Sequence, residues 1–282
     1  MPVSPDEIRS FQRDGFLHVR GFLESEEVGR LRAACFDHFG VSPGSAHASF
    51  KRELDVGKRM PAVEWLVTHP PALEVARHLL GQKVLYTYES AAHLGTGCRY
   101  WHKDARDATN PEGRDWQEDY RVVFFGYYLS DQVGRSGGLS VRRGSHKIKN
   151  LFGGELVTLD TAPGDLVVFD CRITHAGNTL RLKPPFRWLP GGLALAIPKA
   201  SGWKRLLQLH RILARAVLLR CPWLFLPAPA DRMAIFLAYG NDDAHTRGFF
   251  SWLRGSPGYE HLLAYDEPAR VTFRVALRPS RA

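Results

Sequence analysis

The sequence has few cysteines and no long apolar run. Its four cysteines, Cys35, Cys98, Cys171 and Cys221, are widely separated and form no CxxC pair. This spacing argues against a zinc knuckle and a disulfide framework, and it favours a reducing, cytoplasmic environment. No stretch of about 18 uncharged apolar residues occurs, and the opening MPVSPDEIRSFQRDG has no basic segment followed by an apolar run. We therefore expect neither a membrane span nor an export signal.

Basic residues outnumber acidic ones, with 38 Lys and Arg against 29 Asp and Glu, which gives a formal net charge of +9. Clustered basic residues would indicate a phosphate surface such as nucleic acid or an anionic membrane. Here the basic residues are mostly dispersed, which favours a solvated basic surface and predicts no nucleic-acid partner. A small acidic substrate would also suit this charge.

The length of 282 residues and the hydrophobic content of 44% fit a single catalytic domain with a sizeable core. We expect that domain to span residues 1–282. Its parts are N-terminal helices and a strand in 1–83, a β core in 84–188 and 231–278, and a helical insertion in 189–230.

Short β-rich segments separated by turn residues follow the N-terminal region. Helices are expected on both sides of a strand in the first 40 residues, with Ser25 as an N-cap, and again in 61–80, whereas the polar residues 41–60 predict a loop. Strands are predicted at 84–90, 121–130, 138–141, 156–160, 165–170, 232–240 and 270–277. Many short strands without long intervening helices favour a sandwich or jelly roll over a parallel βαβ sheet.

The segment 203–219, inside the expected insertion, has the pattern of an amphipathic helix. Leu206, Leu209 and Leu213 would share one face, and basic residues would occupy another. Such a helix could lie on an anionic membrane or cover a lipid-linked substrate. Packing on the β core or in a dimer interface is the preferred interpretation, and no oligomeric state is predicted.

The candidate metal ligands are His102, Asp104 and His175. In the segment YWHKD, His102 and Asp104 are two residues apart, so both side chains point the same way from an extended chain. In GDLVVFDCRITHAGN, a Gly-Asp turn precedes an apolar strand and a second turn that carries His175. Two imidazoles and one carboxylate on one face of an octahedral ion leave three positions open, which suits iron(II), whereas zinc prefers a tetrahedral set.

Four segments together resemble the phytanoyl-CoA dioxygenase family of iron(II)- and 2-oxoglutarate-dependent enzymes. They are RDGFLHVRGFLESEEVGRLR near the start, WHKD at 101–104, GGLSVRRGSHK at 137–147 and GDLVVFDCRITHAGN at 164–178. The resemblance implies a mainly β fold with flanking helices around a double-stranded β-helix core, that is, a cupin-like jelly roll. It also implies iron(II) as the metal, 2-oxoglutarate and dioxygen as cosubstrates, and His102, Asp104 and His175 as ligands.

The resemblance further implies an arginine that pairs with the C5 carboxylate of 2-oxoglutarate, because a buried carboxylate favours a planar, bidentate, always-charged partner. Arg232, at the start of RMAIFLAYG, and Arg187, twelve residues after His175, are the two candidates, and Arg232 is preferred. Thr179 and Tyr88 are further candidates for contact with the cosubstrate.

Two positions depart from the family pattern. Arg143 stands where a proline commonly precedes Gly-Ser-His, and Gly177 stands where a hydroxylated residue often follows the distal histidine. The second departure weakens the expectation of a contact to the C5 carboxylate from position 177, which Thr179 could replace. His146, in the GSHK segment, is expected to lie outside the metal sphere.

The predicted function is a dioxygenase that hydroxylates an unactivated C–H bond of a small-molecule, lipid-linked or sugar-linked substrate and releases succinate and carbon dioxide. Small changes in substrate position can redirect such chemistry towards desaturation, epimerisation or ring closure. The alternative is a cupin-like metal-binding protein or isomerase without redox chemistry, which would not need the C5-carboxylate arginine.

Overall fold

The computed structural model describes residues 3–44, 50–95, 101–108, 110–179, 181, 183–184, 222–229 and 231–271. The α-helices are α1 (Pro5–Asp14), α2 (Ser25–Phe39), α3 (Val56–Arg59), α4 (Pro70–Leu80) and α5 (Ala244–Arg254). Short 3-10 helices span Pro61–Thr68, Arg114–Trp116, Ser145–Lys147, Pro222–Leu224 and Glu260–Ala264. The strands are β1 (Phe16–Val19), β2 (Lys51–Leu54), β3 (Val84–Leu94), β4 (Val122–Tyr128), β5 (Gly138–Arg143), β6 (Glu155–Leu159), β7 (Leu166–Asp170), β8 (His175–Thr179), β9 (Met233–Asn241) and β10 (Ala269–Arg270).

The strands form two antiparallel sheets. The larger sheet has the order β1-β7-β4-β9-β3-β10, with β2 also paired to β3, and the smaller sheet has the order β6-β5-β8. Neighbours in the sheets are mostly distant in sequence, as when β9 inserts between β4 and β3. This crossing pattern, together with flanking helices, confirms the predicted jelly roll.

Side chains on the central strands point alternately to the two faces of the larger sheet, so the interior has two layers. On β4, Phe124 and Tyr128 face a cluster between the two sheets that also holds Leu139 and Leu159 of the smaller sheet. The intervening Tyr127 faces a second cluster, formed with the N-terminal helices. Because side chains alternate with a period of two, one strand supplies both layers. The layer between the sheets is the interior of the jelly roll.

The N-terminal helices begin and end at recognisable signals. Ser4 caps α1, since its hydroxyl accepts a hydrogen bond from the Glu7 N–H and the Glu7 carboxylate accepts one from the Ser4 N–H. Gly15 ends the helix with φ +83°, a conformation that favours glycine. This turn directs the chain into β1, which pairs with β7 at the edge of the larger sheet.

Two local predictions were wrong. Residues 41–60, expected to form a loop, contain β2 and α3, because the polar strand β2 pairs with the edge of β3 and needs no buried face of its own. Ser25 is the first residue of α2 and Glu24 is its N-cap. The Glu27 carboxylate accepts a hydrogen bond from the Glu24 N–H at 3.0 Å.

Some expectations concern residues outside the described ranges. The amphipathic segment 203–219 lies wholly outside them, and so does most of the insertion expected at 189–230. The strand predicted at 270–277 overlaps them only at its first two residues. In the part of the chain that the structure describes, no helix is long and apolar enough to cross a membrane.

Candidate metal centre

His102, Asp104 and His175 come together at one point of the jelly roll. One potential ligand atom from each lies within 4.8 Å of the others. The two oxygens of Asp104 each approach one histidine, at 3.4 Å from His102 Nε2 and 3.4 Å from His175 Nε2. The imidazole centroids are 4.3 Å apart. This is the chemistry and compactness that a single divalent ion requires, so the three residues fit the metal that the resemblance implies.

Backbone hydrogen bonds hold the two ligand-bearing segments together. His102 and His175 exchange N–H···O bonds of 3.0 and 2.9 Å, and the Asp104 N–H donates to the Cys171 carbonyl at 2.9 Å. His175 Nδ1 lies 3.2 Å from the Ile173 carbonyl oxygen. If Nδ1 carries the proton and donates it to this carbonyl, Nε2 keeps its lone pair on the side of Asp104. This is the tautomer in which Nε2 can bind a metal.

Lys103, between the two proximal ligands, supports the site from behind. Its ammonium is buried and donates to the Ser145 and Arg172 carbonyls at 2.6 Å each. The Ser145 hydroxyl in turn accepts a hydrogen bond from the Thr174 N–H at 2.8 Å. Burial lowers the pKa of Lys103 to about 7. One side chain therefore joins the HxD segment to the GSHK loop and to the turn before His175.

That turn is fixed by a second buried cation. Arg172 forms a bidentate pair with Asp170, with Nε···Oδ1 of 2.9 Å and Nη2···Oδ2 of 2.7 Å. Its Nη1 also donates to the Asp115 and Gln117 carbonyls. Asp170 and its hydrogen bonds raise the pKa of Arg172 above its usual value, although burial opposes this effect. Arg172 therefore remains charged at all relevant pH values.

His146 lies outside the cluster of candidate ligands. Its Nε2 is 3.2 Å from the Gln12 carbonyl oxygen, and its ring covers Gly15, where a Cβ atom would come within 2.4 Å of Nδ1. Burial lowers the pKa of His146. The residue thus joins the GSHK loop to the end of α1. Within the described ranges, His102, Asp104 and His175 are the one group of three or more potential metal ligands whose ligand atoms lie close together.

Arg232 directly precedes β9 of the larger sheet, and its side chain contacts Gly137, the residue before β5 of the smaller sheet. Arg232 is 2% exposed, and its Nε donates to the Gly137 carbonyl at 2.6 Å. Its Nη1 is buried and has no hydrogen-bond partner among the described residues. Burial lowers the pKa of Arg232 to about 10. Gly137 has φ +97°, a backbone conformation that favours glycine, and this conformation presents its carbonyl to Arg232.

Three further residues were predicted to contact the cosubstrate, namely Tyr88, Thr179 and Arg187. Among the described residues, no contact is seen between any of their side chains and the metal triad. Tyr88, on β3, has φ +57° and stacks on Tyr265 with ring centroids 3.6 Å apart. Its other ring neighbours are Tyr86 and Phe250. The backbone of Thr179 pairs with Gly138. The side chain of Thr179 and the whole of Arg187 are not among the described parts of the chain.

Sequence reasoning missed the roles of Lys103, Arg172 and Gly137. Two features of the sequence could have indicated these roles. Lys103 stands between two candidate ligands, and Arg172 follows Asp170 by two residues. A lysine between two metal ligands is by default exposed, and only the tertiary structure shows that its ammonium is buried.

A jelly roll in which two imidazoles and one carboxylate converge has the architecture of a mononuclear non-haem iron oxygenase. Comparison with known proteins agrees. The family model described as phytanoyl-CoA dioxygenase (PhyH) matches residues 11–181, more than half of the chain. The chain belongs to the phytanoyl-CoA dioxygenase family. As a member, it is an iron(II)- and 2-oxoglutarate-dependent dioxygenase, as the sequence predicted.

Among curated relatives, an ectoine dioxygenase of Bordetella bronchiseptica is 24% identical over 223 residues, covering 63% of this chain and 70% of the relative. Among solved structures, the α-ketoglutarate-dependent carbocyclase SnoK from nogalamycin biosynthesis has a TM-score of 0.59 at 15% identity, covering 96% of this chain and 94% of that one. EctD from S. alaskensis, with 2-oxoglutarate and 5-hydroxyectoine, has a TM-score of 0.55 at 18% identity, covering 87% and 78%. These structural likenesses confirm the jelly-roll fold.

Proposed function

We propose that His102, Asp104 and His175 bind the iron(II) of this dioxygenase and that Arg232 binds the C5 carboxylate of 2-oxoglutarate. The observation that carries the proposal is the convergence of the three side chains, whose ligand atoms lie within 4.8 Å of one another. They come from two segments that are far apart in sequence, joined by a pair of backbone hydrogen bonds.

The donor set suits iron(II) because two neutral imidazoles and one carboxylate leave coordination positions for a cosubstrate and dioxygen. When bound, the iron supplies the oxidising chemistry, coupled to conversion of 2-oxoglutarate and dioxygen to succinate and carbon dioxide. The protein holds the ligands in place through Lys103 and the Ile173 carbonyl. The Phe169 ring packs against the His175 imidazole, with 4.9 Å between the ring centroids.

Arg232 fits the C5 carboxylate better than any other described arginine does. Its guanidinium is almost completely buried and charged, and its Nη1 has no hydrogen-bond partner among the described residues. An uncompensated buried cation is costly, and a carboxylate would supply both the opposite charge and the missing acceptor. Arg187 remains the alternative, because it lies outside the described residues.

The substrate is a small molecule, and we propose hydroxylation of an unactivated C–H bond as the outcome. The names of the similar proteins support this range: curated relatives are ectoine dioxygenases, EctD was solved with 5-hydroxyectoine, and the solved structures include a carbocyclase and an epimerase. Ring closure, epimerisation and desaturation are therefore retained as variants of the same chemistry. A lipid- or sugar-linked substrate, with 203–219 against an anionic membrane, is a narrower proposal that liposome sedimentation would test.

The proposal is tested by anaerobic titration of the protein with iron(II) and 2-oxoglutarate, followed by absorption spectroscopy. We expect a charge-transfer band that requires both additions in the wild type. The band should be absent in His175→Ala and Asp104→Ala, and His146→Ala should retain it because His146 lies outside the triad. A band of normal intensity in both triad variants would overturn the ligand assignment. The absence of any band in the wild type would instead favour a protein without redox chemistry.

A further inference from the structure

A second unpartnered donor lies on the strand next to Arg232. Tyr128, the last residue of β4, is 0% exposed, and its hydroxyl has no hydrogen-bond partner among the described residues. Its side chain belongs to the cluster between the two sheets and lies over Gly126, where a Cβ atom would be 3.4 Å from Tyr128 Cε2. The ring also makes an edge contact with Phe236, at 6.2 Å between centroids. The hydroxyl is therefore a polar atom in the interior of the jelly roll.

The strand register brings this hydroxyl close to the guanidinium. Tyr128 pairs with Ala234, two residues after Arg232, so all three side chains emerge on the same face of adjacent strands. The Leu129 N–H donates to the Met233 carbonyl at 3.0 Å and fixes this register beyond the end of β4. The two groups interact electrostatically: Arg232 lowers the pKa of Tyr128, against the larger effect of burial. Tyr128 thus supplies a neutral hydroxyl beside a buried cation.

Among the described residues, neither the Arg232 Nη1 nor the Tyr128 hydroxyl has a hydrogen-bond acceptor, and a carboxylate would supply one to both. A buried donor without an acceptor costs free energy, and this place holds two such donors, one of them charged. A carboxylate has two oxygens and about four lone-pair positions, so it can accept from a guanidinium and a phenol together. Position 177, two residues after His175 on β8, cannot contribute a hydroxyl, because glycine has no side chain.

We propose that the Tyr128 hydroxyl is the second donor to the C5 carboxylate of 2-oxoglutarate, beside Arg232. The inference rests on the proposed function, because it adds a residue to the site that Arg232 defines. It makes Tyr128 a determinant of cosubstrate affinity and selectivity, since an acid without a distal carboxylate would leave the hydroxyl without an acceptor.

The chain offers a matched control for this idea. Tyr127 is also 0% exposed, and its hydroxyl also lacks a described partner, but its side chain faces the N-terminal helices on the other side of the sheet. Tyr127→Phe and Tyr128→Phe therefore remove the same atom from equally buried places. Removing an unpartnered buried hydroxyl should leave each ligand-free variant at least as thermally stable as the wild type.

The experiment measures binding by calorimetry, without turnover, using nickel(II)-loaded protein and two acids of equal chain length. These are 2-oxoglutarate and 2-oxovalerate, which lacks the distal carboxylate. We expect Tyr128→Phe to raise the Kd of 2-oxoglutarate about 10- to 100-fold, because the variant loses one hydrogen bond to a charged group. Its Kd for 2-oxovalerate should stay within about twofold of the wild-type value, and Tyr127→Phe should match the wild type for both acids.

The other outcomes are distinguishable. Wild-type binding of 2-oxoglutarate in Tyr128→Phe would overturn the inference and leave the proposed function intact. Equal weakening for both acids would also overturn it, because Tyr128 would then shape the pocket without contacting the distal carboxylate. Failure of the wild-type protein to bind 2-oxoglutarate at all would overturn the proposed function itself. A thermal melt of each ligand-free variant checks that it is folded before titration.

Discussion

Replacing Arg232 with methionine distinguishes a cation that stabilises the fold from one that binds an anionic ligand. Burial lowers the pKa of Arg232 to about 10, below its usual value, and this shift corresponds to a cost on the order of 3 kcal/mol for the charged form. The folded and the unfolded pKa both lie well above 7, so the side chain is protonated in both states at pH 7 and the full cost applies. The cost decreases only as the pH rises through the folded-state value near 10.

The hydrogen bond from Arg232 Nε to the Gly137 carbonyl offsets much of this cost, because a bond from a charged donor contributes about 1.5–3 kcal/mol. Arg232→Met should therefore change the free energy of unfolding of the ligand-free protein by no more than about 1.5 kcal/mol. Truncating one member of a buried ion pair typically costs about 3–5 kcal/mol. In the complex, Arg232→Met removes such a pair, so the Kd of 2-oxoglutarate should rise at least about 100-fold.

Urea unfolding of the ligand-free protein and calorimetric titration of the nickel(II)-loaded protein measure the two quantities. Arg143→Met is the matched control, since the Arg143 side chain is 43% exposed and pairs with Glu155 at the surface. A variant that unfolds 3–5 kcal/mol more easily but binds 2-oxoglutarate like the wild type would refute the reasoning. That result would make Arg232 a structural cation and transfer the C5-carboxylate role to Arg187.

Three further predictions concern the supports of the site. Nickel(II) at about 100 times its Kd should stabilise the wild type and His146→Ala by about 2.7 kcal/mol, or roughly 5–10 °C in a thermal melt. Asp104→Ala should lose this shift, and an undiminished shift there would contradict the ligand assignment. Arg172→Met should lower the free energy of unfolding by about 3–5 kcal/mol, because it leaves Asp170 buried without its bidentate partner. An unchanged urea midpoint would show that Asp170 finds another partner. Gly177→Ser, placed in the Tyr128→Phe background, should recover part of the 2-oxoglutarate affinity in the same titration, because nothing lies within 4 Å of a Cβ at position 177. If Gly177→Ser leaves that affinity as weak as in Tyr128→Phe alone, a hydroxyl on β8 does not reach the carboxylate.

The strands of the core could be predicted from sequence because their alternation is strong and turn residues separate them. The prediction of strands at 165–170 and 232–240 matches β7 and β9 to within one residue at each end. The loop predicted at 41–60 failed because β2 reads KREL, with no apolar alternation. Its order comes from pairing with β3, a tertiary effect that local composition does not carry.

The triad was predictable for a different reason. Metal chemistry restricts the residue types to a few, and His102, Asp104 and His175 stand in segments whose order matches a known family. The supporting residues have no such restriction. Lys103 would be an ordinary surface lysine if Trp116 and the GSHK loop did not cover it, and this covering depends on contacts between distant parts of the chain.

Tyr128 and Arg232 illustrate what only the assembled sheet can reveal. A buried hydroxyl without a partner among the described residues does not by itself mark a ligand site, because Tyr127 has one as well. Tyr128 differs because β9 inserts beside β4 and brings to the same face a buried guanidinium whose Nη1 also has no described partner. Two adjacent deficits of the same kind can be met by one anion, whereas the isolated hydroxyl of Tyr127 can be met by a water molecule or left unmet at small cost. The pairing of these deficits is therefore the reason for proposing that the C5 carboxylate binds here.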